Sequence, residues 1–86
     1  MRVKFNESGQ QRMFIDYARQ KAGISMRKLA INNNVDYELL KKYHQERCFI
    51  SKEVFDLLCK ISGVRKQELN VGYLPEYWGQ VKGGKS

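Results

Sequence analysis

Three consecutive asparagines, Asn32 to Asn34, separate two short segments that have helical periodicity. Ser25 precedes the first segment and Asp36 precedes the second, and both residue types are favourable helix N-caps. Asparagine tolerates the left-handed backbone conformation better than other residues that carry a side chain, so the chain can turn sharply here. The sequence therefore predicts two short helices, at about 25–32 and 36–45, joined by a tight turn.

The periodicity outside this pair predicts further helices. A helix from Gln10 to Lys21 ends at Gly23, which supplies a left-handed stop. Its expected buried face consists of Met13, Phe14, Tyr17 and Ala18. Ser51 is the expected N-cap of a fourth helix that stops at Gly63, and a last short helix or turn spans about Arg65 to Asn70.

The two ends of the chain have weaker signals. Residues 1–9 begin with an alternating polar and apolar run, which predicts a short edge strand or an extended arm. Residues 46–50 have the character of a loop, and residues 71–86 that of an aromatic and Gly/Lys-rich tail. We therefore predict an all-α fold, in which residues 10–70 form a compact bundle of four to five helices.

The net charge of the chain limits the kinds of molecule that we expect it to bind. The 86-residue chain has a formal net charge of +7, and an excess of this size on a small domain favours DNA, RNA or an anionic membrane. No apolar run approaches the ~20 residues that a membrane span needs, and the start lacks the apolar stretch of a signal peptide. We expect a soluble protein without a membrane partner, located in the cytoplasm and, in a prokaryote, associated with the nucleoid.

Catalytic and metal-binding patterns are not recognisable. Cys48, Cys59 and His44 lack the spacing of a zinc site, and both cysteines are expected to be reduced packing residues. Residues 79–86 match the phosphate-loop pattern GxxxxGK(S/T), but that mechanism needs a strand before the loop and a helix after it, and residues 74–76 do not resemble a buried strand. We therefore predict no enzymatic activity, metal, cofactor or small-molecule ligand.

The run ISMRKLA, from Ile24 to Ala30, resembles the opening "(L/I)S-x-x-x-LA" of the Cro and lambda-repressor (XRE-like) type of helix-turn-helix domain. Asn34, Val35 and Asp36 stand where that family has Gly-Val-Ser, so asparagine replaces the turn glycine. Residues 51–64 resemble the family stretch "S-x-E-T-L…L-A-K…G-V". The resemblance covers about residues 10–70.

The resemblance implies that the helix at about 36–45 enters the major groove of double-stranded DNA as a recognition helix. By position, the expected base contacts are Tyr37, Glu38 and Lys42. The expected phosphate contacts are Arg27, Lys28, Lys41 and Arg47. Phosphate contacts set the position of a protein on DNA, whereas base contacts set its sequence preference.

The simplest biological role is sequence-specific transcription regulation, by a monomer or a homodimer. Two alternatives stay open: a DNA-targeting module of a larger, homing-endonuclease-like protein, and a protein–protein adaptor that reuses the fold. Tyr73, Tyr77 and Trp78 are expected to fold back onto the core, with a stacking platform or a dimer contact as alternatives.

Overall fold

The computed structural model describes residues 1–75. The helices are α1 (Gln10–Ala22), α2 (Met26–Asn32), α3 (Tyr37–His44) and α4 (Lys52–Ser62), and a 3-10 turn spans Lys66–Glu68. The strands are β1 (Arg2–Phe5), β2 (Ile50–Ser51) and β3 (Val71–Leu74). Tyr77, Trp78 and the GxxxxGK(S/T) pattern of the predicted tail lie outside the described residues.

The three strands form one antiparallel sheet in the order β2-β1-β3, so the prediction of an all-α fold is wrong. β1, predicted to be an edge strand or an arm, is the central strand: Val3 pairs with Ile50 on one side and with Tyr73 on the other. β2 begins within the segment predicted to be a loop, and β3 lies in the segment predicted to be a tail.

The sheet is not evident from the sequence because its strands are short. The strands contain four, two and four residues, which is too short for alternation to be distinguished from irregular structure. Their pairing joins residues that are far apart in the chain, such as Arg2 and Leu74, so no local pattern reveals it. The described residues form a mixed α/β fold of four helices and a small sheet.

The predicted helices are confirmed, together with their caps. Ser25 Oγ accepts a hydrogen bond from the Lys28 amide (3.2 Å), and Ser51 Oγ accepts one from the Val54 amide (3.3 Å). Gly23, at the end of α1, adopts the left-handed conformation with φ of 70°. Side-chain caps of this kind satisfy helix amides that have no partner within the helix.

The hydrophobic core lies between the sheet and the helices. Val3 and Ile50 are fully buried, and an aromatic cluster joins the sheet to α1 and α4. In this cluster the rings of Phe14 and Phe55 lie 5.5 Å apart, and Tyr73 meets Phe55 edge-on at 6.3 Å. Aromatic pairs at such distances stabilise a core beyond the area that they bury. Tyr73 therefore contacts the core through Phe55, as predicted, while its side chain stays 43% exposed.

The predicted buried face of α1 is partly wrong. Met13 is 65% exposed and Tyr17 is 44% exposed, whereas Ile15 is fully buried. The buried stripe follows the spacing i, i+3, i+4 and i+7, and consists of Gln11, Phe14, Ile15 and Ala18. The predicted and observed stripes share only Phe14 and Ala18. Periodicity alone does not show from which side α4 packs against α1.

Within residues 1–75, no helix has both the length and the apolar character required to cross a membrane.

Candidate nucleic-acid interface

The connection between α2 and α3 is a tight turn with defined hydrogen bonds. Asn34 adopts the left-handed conformation with φ of 57°, as the asparagine triplet predicts. The Asn34 amide donates to the Ile31 carbonyl (3.3 Å), and the Val35 amide donates to the Ala30 carbonyl (2.9 Å). These two bonds form a Schellman motif, which satisfies the last carbonyls of α2. Asp36 then caps α3 by accepting from the Glu38 amide (3.3 Å).

The end of α3 is a second Schellman motif, with an unusual residue at its left-handed position. Glu46 has φ of 60°, and its amide donates to the Tyr43 carbonyl (3.0 Å). Its carboxylate accepts from the amides of Gly9 (3.0 Å) and Arg12 (3.1 Å), at the start of α1. Gly9 has no side chain with which to cap α1, so Glu46 provides the cap from a distant part of the chain.

The hydrogen bonds from the Gly9 and Arg12 amides favour the charged carboxylate and hold the pKa of Glu46 below its usual value. The amides lie at the positive end of the α1 dipole, which stabilises an anion in the same way. Glu46 is therefore charged at neutral pH, and its charge is directed towards α1.

Three side chains of α1 also hold the C-terminal end of α3. Gln11 is 5% exposed and donates to the carbonyls of Tyr43 (2.7 Å) and Cys48 (3.0 Å). Arg12 donates to the His44 carbonyl (3.3 Å), and Asp16 Oδ1 lies 2.9 Å from His44 Nε2. We call the residues Gln11, Arg12, Asp16, His44 and Glu46 the α1–α3 junction. This junction fixes the position of α3 from one side and leaves its opposite side uncovered.

Asp16 belongs to this junction as a charged group. Burial alone would raise the pKa of Asp16, but hydrogen bonds from His44 and Arg19 outweigh burial and lower it. The Arg19 guanidinium lies 3.2 Å from the same carboxylate oxygen.

The uncovered side of α3 is polar. Leu40 and Tyr43 are buried, and at 100° per residue the opposite side of the helix carries Glu38, Lys41, Lys42 and Gln45. We call these four residues the exposed α3 face. Gln45 was not among the predicted contacts, although its spacing of seven residues from Glu38 and four from Lys41 could have identified it.

The structure brings four of the predicted contact residues together at the start of α3. The ring of Tyr37 contacts two cations, with Arg27 Cζ at 5.2 Å and Lys41 Nζ at 5.0 Å from its centre. Both distances are within the range of a cation–π interaction. Lys41 Nζ also lies 3.3 Å from a carboxylate oxygen of Glu38. Tyr37 is half-buried, and its ring orients one cation from α2 and one from α3.

The other predicted contact residues are exposed and less constrained. Lys28 lies on α2, whereas Lys42 and Arg47 lie near the C-terminal end of α3. None of these three forms an ion pair with another residue in the range 1–75. Arg27 thus lies at the start of α3, and Lys42 and Arg47 lie near the end of this helix, which is about 12 Å long. Over the same range, no group of three or more His, Cys, Asp and Glu side chains could hold a metal ion.

We compared the chain with protein-family models, with curated proteins and with solved structures, and found no match. The likeness to Cro-type domains therefore rests on the sequence motifs alone.

Proposed function

We propose that the protein binds double-stranded DNA, with the exposed α3 face in the major groove and α2 against the phosphate backbone. The observation that carries this proposal is the exposed α3 face itself, a polar surface with two lysines on a helix that is capped at both ends. A major groove about 12 Å wide accepts one α-helix, and a fixed helix can present its side chains to base edges in one register.

The side chains on this face suit the donors and acceptors of base edges. Lys42 can donate to guanine O6 and N7, and Gln45 can bond adenine through both its amide oxygen and its amide nitrogen. Glu38 can accept from the amino group of cytosine. Arg27, Lys28, Lys41 and Arg47 then contact phosphates, and Tyr37 orients Arg27 and Lys41.

The simplest role for such a protein is transcription regulation, at the nucleoid if the cell is prokaryotic. A homodimer would contact two half-sites about 34 Å apart on one side of the duplex. The proposed function includes no catalytic step.

Fluorescence anisotropy with a labelled mixed-sequence duplex tests this function. We expect affinity to fall steeply between about 50 and 200 mM salt, because each phosphate contact contributes about 0.9 to the slope of log K against log salt. The double variant Lys41→Ala/Lys42→Ala should weaken binding and flatten this slope.

The matched control is Lys21→Ala/Lys60→Ala, which removes the same charge from exposed positions on α1 and α4. The control should bind more tightly than the α3 variant at every salt concentration. Equal affinities of the two variants would show that net charge alone attracts DNA. No binding by the wild-type protein would favour the adaptor alternative.

A further inference from the structure

A groove lies beside the exposed α3 face, next to the short strand β2. β2 pairs only with Arg2 and Val3, so the edge of β1 at Lys4 and Phe5 has no partner strand on that side among the described residues. The segment 46–49 connects the end of α3 to β2. Between this segment, β1 and the start of α1 lies a groove of about 690 Å³.

The lining of this groove combines apolar side chains with cations. Phe5, Leu39 and Phe49 contribute apolar surface, and Arg2, Lys42 and Arg47 contribute positive charge. Its volume is within the range of about 300 to 1,000 Å³ that is usual for small-molecule sites. A ligand that fits such a lining has a flat apolar part and an anionic part.

The acidic residues of the lining do not cancel its positive charge. Glu46 is one of them, but both of its oxygens accept hydrogen bonds from the start of α1. Glu7 is the other, so the three cations and two carboxylates of the lining leave it a formal net charge of +1. Arg2 donates to the Phe49 carbonyl (3.2 Å), while its buried Nε has no hydrogen-bond partner among residues 1–75.

We propose that this groove receives an unpaired nucleotide of the bound DNA. The base lies against Phe49, and the flanking phosphate bonds Arg47. A nucleotide has the two chemical parts that the lining requires, since every base has an apolar face that stacks on aromatic rings. Lys42 belongs both to the groove and to the exposed α3 face, so one DNA molecule can reach both surfaces.

This inference rests on the proposed function and adds a substrate preference to it. Duplex DNA with a single-stranded overhang should bind more tightly than the same duplex with blunt ends, because an overhang offers a base without the cost of unpairing. We expect a gain of about tenfold, towards the lower end of what one stacked base contributes.

Anisotropy with the blunt and overhang duplexes at one salt concentration tests the inference. Phe49→Ala should abolish the gain and leave affinity for the blunt duplex within about twofold of wild type. The matched control is Tyr17→Ala, which removes an exposed aromatic ring from α1 and should keep the gain. As a measurement that needs no variant, a 2-aminopurine in the overhang should change its fluorescence when the wild-type protein binds.

The outcomes separate this inference from the proposed function. An overhang that brings no gain, while the blunt duplex binds in a salt-dependent way that needs Lys41 and Lys42, would overturn the groove site and leave the proposed function standing. A gain that survives Phe49→Ala would also overturn it. If neither duplex binds, the proposed function and this inference fail together.

Discussion

Glu46 offers a quantitative test of how α3 is held in place. Its carboxylate caps α1 through bonds of 3.0 and 3.1 Å, and its backbone has φ of 60°. Glu46→Ala removes the cap but keeps the positive φ, and loss of a cap costs about 1 kcal/mol, with a further ~0.5 kcal/mol for the lost charge at the helix end. Glu46→Gly removes the same cap but relieves the left-handed strain, which is worth about 1 kcal/mol.

These magnitudes predict an order of stability. Glu46→Ala should lower the free energy of unfolding by about 1.5 kcal/mol and the melting temperature by about 6 to 12 °C, given the usual sensitivity of small domains. Glu46→Gly should lose only about 0.5 kcal/mol. Thermal unfolding followed by circular dichroism measures both values.

The pH dependence provides an independent check of the same cap. The pKa of Glu46 is lower in the folded protein than in the unfolded chain, so its stabilisation is fully present above the unfolded pKa and is lost as the pH falls through the folded pKa. The difference between wild type and Glu46→Ala should therefore be constant above about pH 4.3, the usual pKa of glutamate, and shrink as the pH falls below it. A difference that stays constant below about pH 4.3, or a glycine variant as unstable as the alanine variant, would refute the capping argument.

Three further outcomes are expected. Tyr37→Phe should bind DNA as wild type, whereas Tyr37→Leu should bind about two- to tenfold more weakly, because only the ring orients Arg27 and Lys41; the opposite ranking in anisotropy would assign the role to the hydroxyl. Gln45→Ala should reduce discrimination at one base pair by about 1 to 3 kcal/mol, measured as affinities for a series of point-substituted sites, and an unchanged series would place Gln45 outside the interface. Asn34→Gly should raise the melting temperature by about 2 to 4 °C, since glycine adopts a φ of 57° without strain, and a lower value in calorimetry would contradict this assignment.

Local signals made the helices predictable. Ser25, Asp36 and Ser51 bond amides two or three residues further along the chain, so cap and partner appear together in the sequence. The asparagine triplet likewise contains the left-handed residue that turns the chain. The polar side of α3 was predictable for the same reason, because helical periodicity alone separates Lys41 and Lys42 from Leu40.

Contacts between distant segments were not predictable. Glu46 caps an amide 37 residues earlier in the chain, and nothing in its own neighbourhood indicates this partner. The sheet is similar, because β2 has only two residues and its pairing with Arg2 depends on how the helices return the chain. The groove beside α3 is lined by residues from β1, the start of α1, α3 and the segment 46–49, and for this reason no single motif in the sequence indicates it.

The central position of β1 constrains the order in which the protein acquires its structure. During vectorial synthesis β1 emerges well before β2 and β3, which lie about 50 and 70 residues further along the chain. Helices form from local contacts and fold quickly, whereas long-range strand pairing is slow. β1 therefore obtains its second partner strand only after all four helices have been synthesised. Until β3 arrives, β1 exposes an edge with which other nascent chains can pair.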